Sequence, residues 1–163
     1  MTSFVPRPPG WKPHLEIPTS QKQAQDTIIG YLQQTINALP PGISFEHSRG
    51  YGGSSSPCQD DPVPDPTYAF ADWRWVVIPP GIDPTTVITH AGNIWRSWGW
   101  WAGQREDWSR KPNQFGYAPN GYTLQIEAPG EPGKPLTIIG GTPCFPGDIA
   151  QDNIPTPDVI TAD

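Results

Sequence analysis

The stretch YAFADWRWVVIPPGIDPTTVITHAGNIWRSWG, residues 68–99, decides the fold class. Tyr68 to Ile78 is rich in aromatic and β-branched residues and reads as a strand. Its alternation slips between Phe70 and Trp73, which predicts a bulge near Ala71-Asp72. Pro79-Pro80-Gly81 ends it. Asp83 followed by Pro84 is then a helix start, an N-cap with proline at the first helical position. Val87, Ile88, Ala91, Ile94, Trp95 and Trp98 recur at helical spacing, and Gly99 supplies the stop. A strand followed by an amphipathic helix within 32 residues requires a mixed fold.

Upstream, Ala24, Ile28, Leu32, Ile36 and Leu39 repeat at three- and four-residue intervals, while Gln23, Asp26, Gln33, Gln34 and Asn37 take the opposite face. This predicts a helix over Ser20–Ala38, capped by Thr19 or Ser20 and closed by Pro40-Pro41. A short strand is expected from Ile43 to Arg49. The Gly-, Ser- and Pro-rich run 50–66 is expected to be loop throughout. Downstream, strands are expected at Trp100–Arg105, Phe115–Tyr117, Tyr122–Ala128 and Leu136–Gly140, with Ala118-Pro119-Asn120-Gly121 as a hairpin turn. Residues 1–19 read as a proline-punctuated extended arm, 20–146 as a single domain, and 147–163 as a Pro/Asp-rich tail expected to fray. The strands run in succession after each helix, so the expected class is α+β: an antiparallel sheet with two helices packed on one face, stapled by one long-range disulfide.

Composition narrows the function. The formal charge is −6 with 10 Lys+Arg, and the arginines are scattered among acids. Nucleic acid backbones and anionic membrane surfaces both reward clustered cations, so neither is an expected partner. No apolar run reaches the roughly 18 residues of a membrane span. Met1 to Pro9 lacks the apolar stretch of a signal peptide, so either the protein stays inside the cell or its targeting segment lies outside this chain. The cysteines bear on that choice. Cys58 (Ser-Pro-Cys-Gln-Asp-Asp) and Cys144 (Thr-Pro-Cys-Phe-Pro) both sit in loop contexts, without metal or redox spacing. A Cys58–Cys144 disulfide and an extracytoplasmic location follow, the bridge contributing about 4 kcal/mol by chain entropy. The competing reading is two unrelated thiols in a cytosolic protein.

Several segments taken together resemble a known family. They are Ala38–Ser44 after an amphipathic helix, the Ser-Pro-Cys-Gln-Asp-Asp-Pro loop, Ile94–Trp100, Asn120–Gln125 and Thr142–Phe145. In this order they look like the LppA-type lipoproteins of mycobacteria, over roughly Gln21 to Pro146. The resemblance implies a secreted envelope protein held by an acylated N-terminal cysteine, with no enzymatic activity assigned. This chain departs from that pattern in having no lipobox cysteine, so either membrane association comes through a lipid anchor absent from it or this member is not anchored.

No nucleophile-elbow, zincin, dinucleotide or phosphate-loop motif is present, and no cofactor is implied. Asp60, Asp61 and Asp65 form a weak candidate for a hard cation. Of His14, His47 and His90, His47 is the one that suggests a hydrolytic constellation, with Ser54, Ser55 or Ser56 as nucleophile and Asp72 as orienter. Glu46 with Glu106 or Asp107 is a candidate glycosidase pair. The tryptophans are the most informative feature. Trp95 and Trp98 belong to the helical stripe, and Trp100 and Trp101 must point opposite ways on a strand. Two readings of the aromatics stand open: a large-residue core for a domain with few Leu and Phe, or an aromatic sheet face with Trp73, Trp101, Trp108 and Tyr122 as its ligand-binding residues. The leading expectation is a non-catalytic envelope module that binds or organises a glycan, lipid or protein partner through its aromatic sheet face or its 50–66 loop. The alternatives are a carbohydrate-active or other hydrolytic enzyme and a purely structural surface antigen.

Overall fold

Ser20 caps the first helix, α1 (Gln21–Ala38), its Oγ accepting the Gln23 amide proton at 3.0 Å. The Gln23 side chain reaches back to the Thr19 amide at 2.6 Å, a reciprocal arrangement of the capping-box kind. Ala24, Ile28, Leu32 and Ile36 form its fully buried stripe. The computed structural model describes residues 8, 10–47 and 53–163. After α1 come β1 (Ser44–Glu46), β2 (Gly53–Pro57) and β3 (Thr67–Val77). Helix α2 (Pro84–Ser97) starts as expected, with the Asp83 carboxylate accepting from Thr85 N–H at 2.9 Å and Pro84 next to the cap. It ends at Gly99, whose φ of +85° is costly for any residue with a Cβ. There follow β4 (Trp101–Gly103), β5 (Asn113–Tyr117), β6 (Thr123–Glu127), β7 (Leu136–Gly141), β8 (Phe145–Pro146), a 3-10 turn (Gly147–Ile149) and β9 (Val159–Thr161).

These nine strands make one antiparallel sheet in the order β4-β5-β6-β7-β3-β1-β9, with β2 and β8 also paired to β3. Ala71 and Asp72 pair with both β2 and β7, while Trp75 and Val76 pair with both β1 and β7. A strand has two edges, so β1 and β2 must share the edge opposite β7. Both helices lie on one face. Gly140, Leu124 and Gly116 form a cross-strand row there. A Cβ on Gly140 would come within 2.6 Å of Ile28 on α1, and one on Gly116 within 2.7 Å of Trp95 on α2. The bare backbone at these two positions is what lets the helices sit close. Between the helices, the fully buried Trp95 donates its indole N–H to Thr35 Oγ1 at 3.1 Å, so a buried donor is satisfied and the two helices are tied in register.

The disulfide is formed: Cys58 follows β2 and Cys144 precedes β8, with Cα atoms 6.4 Å apart. Because β2 and β8 flank opposite edges of β3, the bridge crosses the start of that strand. Such a bond indicates an oxidising environment. Among the described residues no helix is long and apolar enough to cross a membrane.

Three expectations need correction. First, β3 has no bulge at Ala71-Asp72: its register with β7 runs unbroken from Ala71 to Val76. The apparent slip arises because Asp72 and Arg74 occupy the helix-facing positions between Phe70 and Val76, all four buried. The irregularity lies on the partner side, where the 141–145 segment uses one more residue than β3 does. Second, 50–66 is not all loop, since β2 pairs residue by residue with Tyr68 to Asp72. Gly50 to Gly52 lie outside the described residues, as do Ser48 and Arg49 of the first expected strand. Third, the end of the chain does not fray. Strand β9 pairs with β1, Ile160 is 2% exposed opposite Phe45, and Gln25 and Gln33 of α1 donate to the carbonyls of Ile154 and Thr161. The described arm residues 11–18 belong to no helix or strand, and His14 and Glu16 bond to the β5–β6 turn at Pro119 and Asn120.

Candidate functional site

Strands β4 and β5 pair at Gly103–Phe115, but nine residues, 104–112, connect Gly103 to Asn113. That is too long for a tight turn, so its backbone groups need partners of their own. Asn113 supplies them. Fully buried, it accepts Arg105 N–H at 2.8 Å and donates to the carbonyls of Arg105 and Arg110 at 3.2 and 2.8 Å. Gln104 Oε1 accepts the Asn113 amide proton at 3.3 Å. Compact loops packed by their own side chains, with their ends close together, are frequent carriers of function.

The loop carries matched charges. Arg105 holds Asp107 with two bonds of 3.0 and 2.8 Å and donates to the Tyr117 hydroxyl at 2.9 Å. Lys111 lies 3.3 Å from Glu106, and Arg110 lies 3.5 Å from the buried Glu127. The Asp107 hydrogen bond raises the Arg105 pKa beyond its already high ordinary value. Conversely, the Arg105 hydrogen bond lowers the Asp107 pKa, and hydrogen bonds from Gln104 and then Lys111 lower that of Glu106. Burial pushes the Tyr117 phenol up, opposed by Arg105.

On this frame sit the aromatics. Trp108 is 37% exposed and meets the buried Phe115 edge-on, ring centroids 5.4 Å apart. Half-buried Trp101 lies 5.5 Å from Tyr117. Strand alternation puts Phe115 and Tyr117 on the face away from the helices. Across that face, Phe115, Gln125, Ile139 and Trp73 stand in one cross-strand row. Trp73 packs edge-on against Trp75 at 4.8 Å, both half-buried. In the neighbouring row, the buried Thr137 hydroxyl between Glu127 and Trp75 has no hydrogen-bond partner among the described residues. Trp101, Trp108 and Trp73 are therefore on one face. Tyr122 is not: it is 3% exposed among the core residues, 5.8 Å from Tyr31 on α1. Trp100 points the other way from Trp101, into the Tyr31–Trp98 cluster. Residue type alone pointed to Trp101 and Trp108. It gave no sign of Asn113, whose role depends on a loop closure that the spacing does not reveal.

The other candidates come out differently. Asp60, Asp61 and Asp65 do not converge: among the described residues no three His, Cys, Asp or Glu side chains gather as a metal site. His47 does meet Asp72, Nε2 to Oδ1 at 3.2 Å, but its Nδ1 faces Asp158 at 4.0 Å. Among the described residues neither ring nitrogen is bonded to a serine. Ser55 Oγ donates instead to Gln21 at 3.1 Å. Asp72 is bound up with Arg74 by bonds of 2.8 and 3.1 Å, both residues fully buried. This is a charge pair inside the core, and one arginine nitrogen, Nη1, has no partner among the described residues. Glu46 is not paired with Glu106 or Asp107. Trp75, Thr137, Glu127 and Asn113 step across the sheet from Glu46 toward their loop. Four strand steps amount to about 19 Å, twice the span at which glycosidase carboxylates cooperate.

Compared with protein-family models, with curated proteins and with solved structures, the chain has no match in any of the three.

Proposed function

We propose that the protein is a non-catalytic, extracytoplasmic module of the cell envelope that binds a carbohydrate component on the sheet face opposite its helices. One observation carries this reading: Trp108 is held part-exposed on a loop whose backbone is fixed from beneath by the buried Asn113, with Trp101 beside it on the same hairpin. A sugar ring presents an apolar C–H face that packs on an indole and a rim of hydroxyls that need hydrogen-bonding partners. The loop offers both, since the polar Gln104, Arg105, Glu106 and Asp107 precede the indole in the same loop. A ligand meeting a preformed loop does not have to order it, and avoiding that loss of entropy matters most where binding is weak.

The envelope assignment rests on the disulfide, which favours an oxidising compartment, and on the resemblance to LppA-type lipoproteins. On that resemblance the module is held at the membrane by a lipid anchor and not by a spanning helix. The test is calorimetric titration with soluble oligosaccharides, followed by Trp108→Ala and Trp101→Ala. Each variant is expected to lose at least about tenfold in affinity, or about 1.4 kcal/mol, with an unchanged melting temperature. Undiminished affinity in both variants removes the aromatic face from the binding role.

A further inference from the structure

Building on the carbohydrate reading, we infer that the ligand is an uncharged oligosaccharide several rings long, lying across the sheet from the Trp108 loop to Trp73. Charge argues the first half. Each of the three cations on the loop already faces a carboxylate: Arg105 with Asp107, Lys111 with Glu106, and Arg110 with Glu127. Two of those carboxyls have lowered pKa values, so the pairs persist at neutral pH. An anionic polymer would have to compete with a carboxylate for every one of these cations, in a protein whose net charge is −6. A neutral glycan meets donors and acceptors already fixed in place and has no charge to desolvate.

Register argues the second half. Trp108 packs on Phe115, and Phe115 is three strands from Trp73 through Gln125 and Ile139. Three inter-strand steps are about 14 Å. No single sugar ring spans that length; a short run of linked rings does. Between the two aromatic ends Ile139 is the part-exposed residue of the row, while Phe115 and Gln125 lie buried beneath the surface, so the contacts along the span are Trp108, Ile139 and Trp73.

The experiment is binding of the intact chain to a glycan array, followed by titration with size-graded neutral gluco-, galacto-, manno- and xylo-oligosaccharides and with oligogalacturonate as the anionic counterpart. The expected result is retention of neutral glycans, with affinity rising from mono- to tetrasaccharide and changing less than twofold between low and high salt. Trp108→Ala and Trp73→Phe should each lose about tenfold on the longer ligands, and Trp73→Phe should leave monosaccharide binding unchanged. Phe keeps most of the Trp73 packing, so a melting temperature close to that of the parent separates lost contact from lost fold. Glu106→Gln leaves Lys111 without its carboxylate and should increase oligogalacturonate retention severalfold. Stronger, salt-sensitive binding of oligogalacturonate by the parent overturns neutrality while the carbohydrate reading stands. Affinity that saturates at one ring, with Trp73→Phe silent, overturns the span alone. Retention of no glycan overturns the carbohydrate reading, and this inference with it.

Discussion

Replacing Asn113 by alanine tests the loop most directly. The side chain is fully buried and makes three hydrogen bonds, of 2.8, 3.2 and 2.8 Å, to backbone groups of Arg105 and Arg110. At about 1 kcal/mol net for each bond, the loss is about 3 kcal/mol. In a domain of this size that lowers the melting temperature by about 6–12 °C. Asn113→Asp should be worse than alanine: it keeps the acceptor for Arg105 N–H but buries a charge against two carbonyls. The loop's function should fail along with its stability. With the backbone no longer held, Trp108 leaves Phe115 and its emission shifts to the red. The protein has eight tryptophans, so that shift is read as the difference between spectra with and without Trp108→Phe in each background. A melting temperature within about 3 °C of the parent, together with an unchanged Trp108 difference spectrum, refutes the claim that Asn113 organises the site.

Asp72→Ala leaves the fully buried Arg74 guanidinium without its carboxylate and should cost about 3–5 kcal/mol in urea unfolding, whereas Asp72→Leu with Arg74→Met should cost far less; equal losses would mean the pair is not the relevant unit. Replacing Cys58 and Cys144 by alanine opens a crosslink between residues 86 apart and should cost about 4–5 kcal/mol, with a drop below 1 kcal/mol counting against the chain-entropy account. The folded pKa values of Glu106 and Asp107 are lowered, so the support of their ion pairs is fully present above the ordinary carboxylate range and is lost as pH falls through the lower folded values. Trp108 emission should therefore hold steady down to about pH 4 and change only below it; a transition near pH 6 would mean that another group controls the loop.

The helices were legible because their apolar positions repeat at helical spacing and their caps are local. The disulfide was legible because both cysteines sit among loop-forming residues. What could not be read has physical reasons. Strand β2 is Gly-Ser-Ser-Ser-Pro, without alternation, and its pairing is carried by backbone bonds that leave no mark on residue type. Asp72 and Arg74 look like a break in an apolar face because each is buried only by virtue of the other. Strand β9 had one signal, Val159-Ile160, outweighed by the prolines before it. The site was half-visible. Trp101 and Trp108 stood out as aromatics near charge, while Tyr122 was misplaced because the hairpin turn beside it tucks under α1. Asn113, Phe115 and Tyr117 become partners only when β4 folds back onto β5.

The crossing bond at the start of β3 also bears on how the molecule endures. Cys58 and Cys144 close a covalent ring that contains all of β3, α2 and β4 to β7, including the loop that carries Trp108. A protease that cuts once inside the ring makes two peptides but releases neither, since both remain joined through sulfur. The sheet then holds the cut ends near their places, and the nicked protein should migrate as one species until a reductant is added. For a domain exposed to extracellular proteases, an exposed loop enclosed in this way can be cut without being lost.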